Sequence, residues 1–123
     1  MKKLVIIAAV YAAFFWLCKC NLPNRHDEHF NRHPESIQYS HHARCRMDCR
    51  HISEQDIKSI IENGDINYDK SQLQADDCNK RFAVEGKAHN ERLRIIVAPC
   101  GNVDHVITCI DMDKEWSCNC EEK

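Results

Sequence analysis

Seven cysteines, Cys45, Cys49, Cys78, Cys100, Cys109, Cys118 and Cys120, fall between residues 45 and 120 of a 123-residue chain, and Cys18 and Cys20 precede them at the end of an apolar leader. Behind an export-type leader the first reading of such a density is disulfides, because small domains outside the cytoplasm use cross-links to supplement a modest core. Seven is odd, so at least one thiol is free, pairs between chains, or joins Cys18 or Cys20. The count does not give the connectivity.

The leader opens with Met1-Lys2-Lys3 and continues as an uncharged apolar run from Leu4 to Cys18. A basic start followed by an apolar stretch is the pattern of an export signal, while the run is short of the roughly 20 apolar residues of a comfortable membrane span. The residues around Cys18 and Cys20 match neither a signal-peptidase site nor a lipoprotein site, since Leu17 and Lys19 precede the two cysteines. Residues 1–20 are thus a signal peptide or a membrane anchor, and an uncleaved anchor through residues 4–18, with Lys2 and Lys3 inside, gains weight by default. It places the domain in the cell envelope, exported across or anchored in the inner membrane and outside the cytoplasm.

The formal charge is −2, and the first twenty residues hold Lys2, Lys3 and Lys19 with no acid, so residues 21–123 carry a net −5. A protein that binds nucleic acid through bulk charge is basic. Any affinity for RNA must then come from a local patch, and the candidate is Arg44, Arg46 and Arg50 with His41, His42 and His51 around them.

Residues 21–35 contain Pro23, Pro34 and three histidines, His26, His29 and His33, without helical or strand periodicity, and read as a polar tether. Ile37-Gln38-Tyr39 suits a short edge strand, and Ser40 suits the cap of a helix running to about Arg50. A second helix starts at Ser53, with Asp56 completing a capping box, and buries Ile57, Ile60 and Ile61. Asn63-Gly64 then predicts a left-handed stop. Beyond it the period changes to two: Ile66–Tyr68, Arg81–Gly86, Leu93–Ala98 and Val103–Ile110 favour strands, with hairpin breaks at 87–91 and 99–102. The expected fold is α+β, two amino-terminal helices packed on an antiparallel sheet of about four strands, preceded by an apolar leader helix.

In the first of these helices His42, Arg46 and Arg50 recur every four residues and so share a face. The wider run, His42-Ala43, Arg46-Met47, Arg50, Ile52-Ser53 and Asp56-Ile57, resembles the bacterial domain family of unknown function DUF4258. The resemblance extends over about Ser36 to Asp111, including Asn63-Gly64, the strand Leu93–Val97 and the strand Val106–Thr108. It implies remote relatives among small toxins similar to RelE and BrnT, within the barnase-like and RelE-like ribonucleases, and hence a RelE-like α+β domain over residues 36–112 with a cysteine-containing tail at 113–123.

Metal-independent RNA cleavage of that kind uses the substrate's own 2′-hydroxyl and needs a base, an acid and cations for the phosphate. His42 can supply acid or base. Arg46 and Arg50 offer the fork geometry that suits an oxyanion, and Arg94 and Thr108 complete the site if the sheet brings them under the first helix. Each residue also has a structural role open to it: His42 as a hydrogen-bonding helix residue, Arg46 and Arg50 as partners of Asp48, Glu54 or Asp56, and Arg94 as an exposed strand residue.

Cys45 and Cys49 lie on the same helical face as His42, and Cys118-Asn119-Cys120 gives a second pair in the tail. One or two disulfides between these pairs would pin the tail to the first helix, and this is the preferred reading; a zinc site on Cys45, Cys49, Cys118 and Cys120 is the weaker alternative. No other cofactor is expected. The sequence therefore supports an exported or membrane-tethered small domain, a disulfide-stabilised binding module of unassigned partner, with a RelE-like ribonuclease acting on RNA as the alternative.

Overall fold

The computed structural model describes residues 6–11, 13 and 29–120. The domain begins with strand β1 (Ser36–Tyr39), followed by helix α1 (His41–Arg50), helix α2 (Glu54–Asn63) and a two-residue strand β2 (Asp65–Ile66). A turn of 3-10 helix (Tyr68–Lys70) leads to the long strands β3 (Phe82–Ala88), β4 (Glu91–Cys100) and β5 (Val103–Asp111). The five strands form one sheet in the order β1-β5-β4-β3-β2.

The α+β architecture expected from the sequence is present, with two differences. The sheet has five strands rather than about four, and it is mixed, because β1 runs parallel to β5 while every other pairing is antiparallel. The parallel pairing follows from the chain's path. A strand that enters a helix lying over the sheet leaves the far edge of β5 available to its own start, and Ile37 and Tyr39 then turn inward as the half-buried residues of β1.

Both helices begin as their sequences dictate. Ser40 caps α1 by accepting from the Ala43 N–H, and Ser53 and Asp56 form a reciprocal capping box at α2. A bulge sets the position of α1: Ile96 faces Thr108 but Val97 faces Val106, so Ile107 is the extra residue on β5. The Ile107 carbonyl accepts from the Ser40 hydroxyl at 2.7 Å, and the Ser40 N–H donates to the Val106 carbonyl at 3.0 Å. The cap of α1 is thus fastened to the bulge.

Helix ends differ from the expectation. The left-handed residue is His51 after α1, with φ 56°, followed by Ile52, whose N–H reaches the Met47 carbonyl and whose side chain is buried. Gly64 instead is extended, with φ −73°. Its requirement for glycine is close approach, since a Cβ there would lie 2.5 Å from the Ile60 carbonyl oxygen and 2.7 Å from that of Glu85.

The core lies between the helices and one face of the sheet. Ala43 and Met47 of α1 and Ile57, Ile60 and Ile61 of α2 pack on Val84, Leu93, Ile95, Val97, Val106 and Cys109. The segment from residue 29 also joins it: Phe30 is buried with its ring 5.0 Å from that of Phe82, and Arg32 donates to the Gly64 carbonyl at 2.7 Å. The far end of the expected tether is therefore anchored on the domain.

Residues 6–11 and 13 are helical, with Ile6, Ile7, Val10 and Tyr11 exposed. Among the described residues no helix is long and apolar enough to cross a membrane. Most of the expected leader, including Lys2, Lys3, Cys18 and Cys20, lies outside the described residues.

Candidate functional site

At 100° per residue the surface of α1 divides into three stripes. Ala43 and Met47 face the core, Cys45 and Cys49 lie on the far side, and His42, Arg46 and Arg50 run between them. The carboxy-terminal tail covers the cysteine stripe. Cys49 is bonded to Cys118 and Cys45 to Cys120, so the tail runs back along the helix from its last turn toward its first. A third disulfide, Cys78 to Cys100, ties the loop before β3 to the end of β4. Among the described residues only Cys109 has a free thiol.

The tail is held at its start as well as at its end. The Asp111 carboxylate accepts from the Trp116 Nε1–H at 3.0 Å and from the backbone N–H groups of Asp113 and Lys114 at 3.0 and 3.1 Å. Burial alone would raise this carboxyl, but those donors and the Glu91 side chain outweigh it and hold the group at about 2. Trp116 in turn meets His51 edge-on, with ring centroids 5.9 Å apart.

His42 is engaged by this disulfide-bonded tail, a strap across α1. Its Nδ1 lies 3.0 Å from the Cys120 carbonyl oxygen. A carbonyl only accepts, so Nδ1 carries the hydrogen and Nε2 is the acceptor of the neutral ring. Arg50 donates to the Cys109 carbonyl through a terminal nitrogen, and the Nε atoms of both Arg46 and Arg50 are buried without a hydrogen-bond partner. Desolvation, then the neighbouring Arg46, lowers the Arg50 pKa. Beneath these two guanidiniums the fully buried Cys109 thiol is pushed up by desolvation, against a partial opposing pull from Arg50 and Arg46, which keeps it a protonated core residue. Two of the three expected partners of the arginines are used elsewhere: Glu54 pairs with Arg44, and Asp56 with His89.

The sheet separates the five candidate site residues into two groups. Leu93, Ile95 and Val97 face the helices, so Arg94 between them points to the opposite side, and Thr108, across from Ile96, points there too. Arg94 and Thr108 are diagonal neighbours on that outer face, each with a buried polar atom lacking a partner. Arg94 is held by Glu85 at 3.2 Å, and Asn67 donates to the same carboxylate at 3.2 Å. Burial would raise the Glu85 carboxyl, but the hydrogen bonds from Asn67 and Arg94 hold it below the ordinary range. His42, Arg46 and Arg50 are thus together, and Arg94 and Thr108 are together, but the two groups do not form one site.

The four sulfurs of the zinc alternative are bonded pairwise, and a sulfur in a disulfide is not a thiolate donor. One further polar residue was not singled out from sequence. Asp104 is fully buried with both carboxylate oxygens unpartnered, and burial pushes its carboxyl up to about 6. Its register gave the signal, because Asp104 shares a face of β5 with the buried Val106 two residues on.

Two mixed layers, a capped helix pair and a five-stranded sheet, define a small α+β domain whose distinctive addition is the disulfide-bonded tail. Residues 39–111 match the family described as Domain of unknown function (DUF4258), and the chain belongs to that family. No curated protein and no solved structure matches it. Cys118 and Cys120, and with them the whole strap, lie beyond the matched span.

Proposed function

We propose that the chain is an exported or membrane-tethered, disulfide-stabilised binding module. The observation that carries this reading is the strap. Two covalent bonds hold the tail over α1, and the imidazole that would serve as acid or base hydrogen-bonds the strap's own backbone at 3.0 Å. The division of the five candidate residues between the two faces of the sheet supports it further. Three disulfides among the described residues, behind an apolar leader, favour an oxidising compartment, the cell envelope, over the cytoplasm.

The test is a thiol count on full-length protein recovered from the envelope of an expressing bacterium, alkylated after unfolding without reductant, followed by an RNA cleavage assay. The reading expects six of the seven domain cysteines protected and no cleavage by the oxidised chain. Free thiols at Cys45, Cys49, Cys118 and Cys120 would overturn it.

The unpartnered Nε atoms of Arg46 and Arg50, on one stripe with His42, favour a second reading. In it the chain is a metal-independent ribonuclease, similar to the RelE-like toxins, whose helix stripe engages RNA phosphate when the strap is released. It expects cleavage by the reduced chain that disappears in His42→Ala.

A further inference from the structure

Beyond the last turn of α1 a cleft of about 260 Å³ opens between three elements that are distant in sequence. Arg50 and His51 of the helix end form one wall, His89 of the β3–β4 turn a second, and Lys114 and Trp116 of the tail a third, over a floor that includes the buried Leu93. We propose that this cleft binds a small aromatic anion, a flat ring carrying one carboxylate or phosphate group. The inference rests on the binding-module reading and names the ligand class of that module.

Three features of the cleft carry it. The first is a fixed aromatic wall. The indole of Trp116 is tied to Asp111 at 3.0 Å, is met edge-on by His51, and belongs to a tail secured two residues later by the Cys118 disulfide. An aromatic side chain immobilised before the ligand arrives loses little entropy on binding. The second is charge. Arg50 and Lys114 both line the cleft, and the ammonium of Lys114 sits 4.0 Å from the centroid of the Trp116 ring, so positive charge and aromatic surface adjoin. Arg50 donates to the Cys109 carbonyl through a terminal nitrogen, which fixes its guanidinium at the end of the helix.

The third feature is size and polarity. Trp116 and the half-buried Ala88 give apolar surface for one ring, and the volume admits a ring with a single charged substituent but not a chain of nucleotides. The one acid on the rim, Glu91, lies beside Asp111, which raises its pKa. Two unlike halves, cationic and apolar, select a ligand with the same division. A bare inorganic anion would leave the apolar half wet, and a neutral ring would give the ammonium of Lys114 no anion to meet.

The experiment uses the full-length oxidised chain and follows the indole N–H resonance of Trp116, assigned with Trp116→Phe, during titration with phenyl phosphate, inorganic phosphate and benzyl alcohol. Phenyl phosphate is expected to shift that resonance with a Kd on the order of 1 mM or tighter, in keeping with a ligand of this size. Inorganic phosphate and benzyl alcohol are each expected to bind about tenfold more weakly. Lys114→Gln, an exposed substitution that leaves the core intact, should weaken phenyl phosphate about fivefold. Equal binding of the two phosphates, no shift at about 10 mM, or indifference to Lys114→Gln overturns the assignment. If that happens while the thiol count still gives three disulfides and RNA is not cleaved, the binding-module reading stands and only this ligand class falls.

Discussion

The imidazole of His42 and the backbone carbonyl of Cys120 are 3.0 Å apart, although the residues are 78 positions apart in sequence. One covalent bond away, Cys45 holds Cys120, and one helical turn further on Cys49 holds Cys118. The two disulfides close loops of nearly the same chain, with separations of 75 and 69 residues. In the chain-entropy view, once one is closed the other closes only a small ring.

Removal of either bond is therefore expected to cost little compared with removal of both. Cys45→Ser with Cys120→Ser, or Cys49→Ser with Cys118→Ser, should lower stability by about 2 kcal/mol, and all four substitutions together by about 5 kcal/mol or more. Urea denaturation of the three variants measures this. Costs that simply add would show that the bonds constrain independent parts of the unfolded chain.

Stability should peak near pH 4 because two aspartates are displaced in opposite directions. Asp104, raised to about 6, is favoured in its neutral form by the fold. Its contribution is fully present below the unfolded carboxylate value near 4 and is lost as pH rises through 6, a change of about 3 kcal/mol. Asp111, held at about 2, contributes above pH 4 and loses about 2 kcal/mol as pH falls through 2. Asp104→Asn should flatten the limb above pH 4, and Asp111→Asn the limb below it, in urea titrations from pH 2 to 8.

Two glycines should be sensitive to the same change for different reasons. Gly64→Ala forces a methyl into the Ile60 and Glu85 carbonyls and should cost about 3 kcal/mol. Gly101 has φ 61° and nothing within 4 Å of an added Cβ, so Gly101→Ala should cost about 1 kcal/mol, and Gly101→Asn less, because asparagine tolerates that conformation. Thermal melts of the three variants separate crowding from backbone strain.

On the outer face of the sheet, the Arg94 and Glu85 side chains are 18% and 23% exposed, sheltered enough for their ion pair to matter. Arg94→Ala leaves Glu85 with Asn67 as its remaining donor and should cost about 2 kcal/mol. A double-mutant cycle with Glu85→Gln should return a coupling of about 1 kcal/mol. Coupling near zero would mean that solvent screens the pair.

Local chemistry made much of this fold readable. Ser40 and Ser53 announce helix starts because a hydroxyl at that position satisfies an orphan N–H whatever lies beyond, and Ile57, Ile60 and Ile61 show a helix face without knowledge of its partner. The pinning of the tail by Cys45, Cys49, Cys118 and Cys120 was also readable, from the match between an i, i+4 pair and a Cys-x-Cys pair. What was missed depends on partners distant in sequence. Gly64 is required by the backbone of Ile60 and Glu85 and not by a turn, and β1 pairs with a strand 67 residues away. The placement of Arg94 was within reach, because it alternates with Leu93 and Ile95 and so cannot share their side of the sheet.

The strap also alters what a break in the chain means. Between Arg50 and Ser117 every peptide bond lies inside rings closed by Cys45–Cys120 and Cys49–Cys118. A protease that cuts once in the exposed stretch around Ala75 to Asp77 would leave two polypeptides that still travel as one molecule, heavier by a single water. For such a domain a nick is a scar and not a severance.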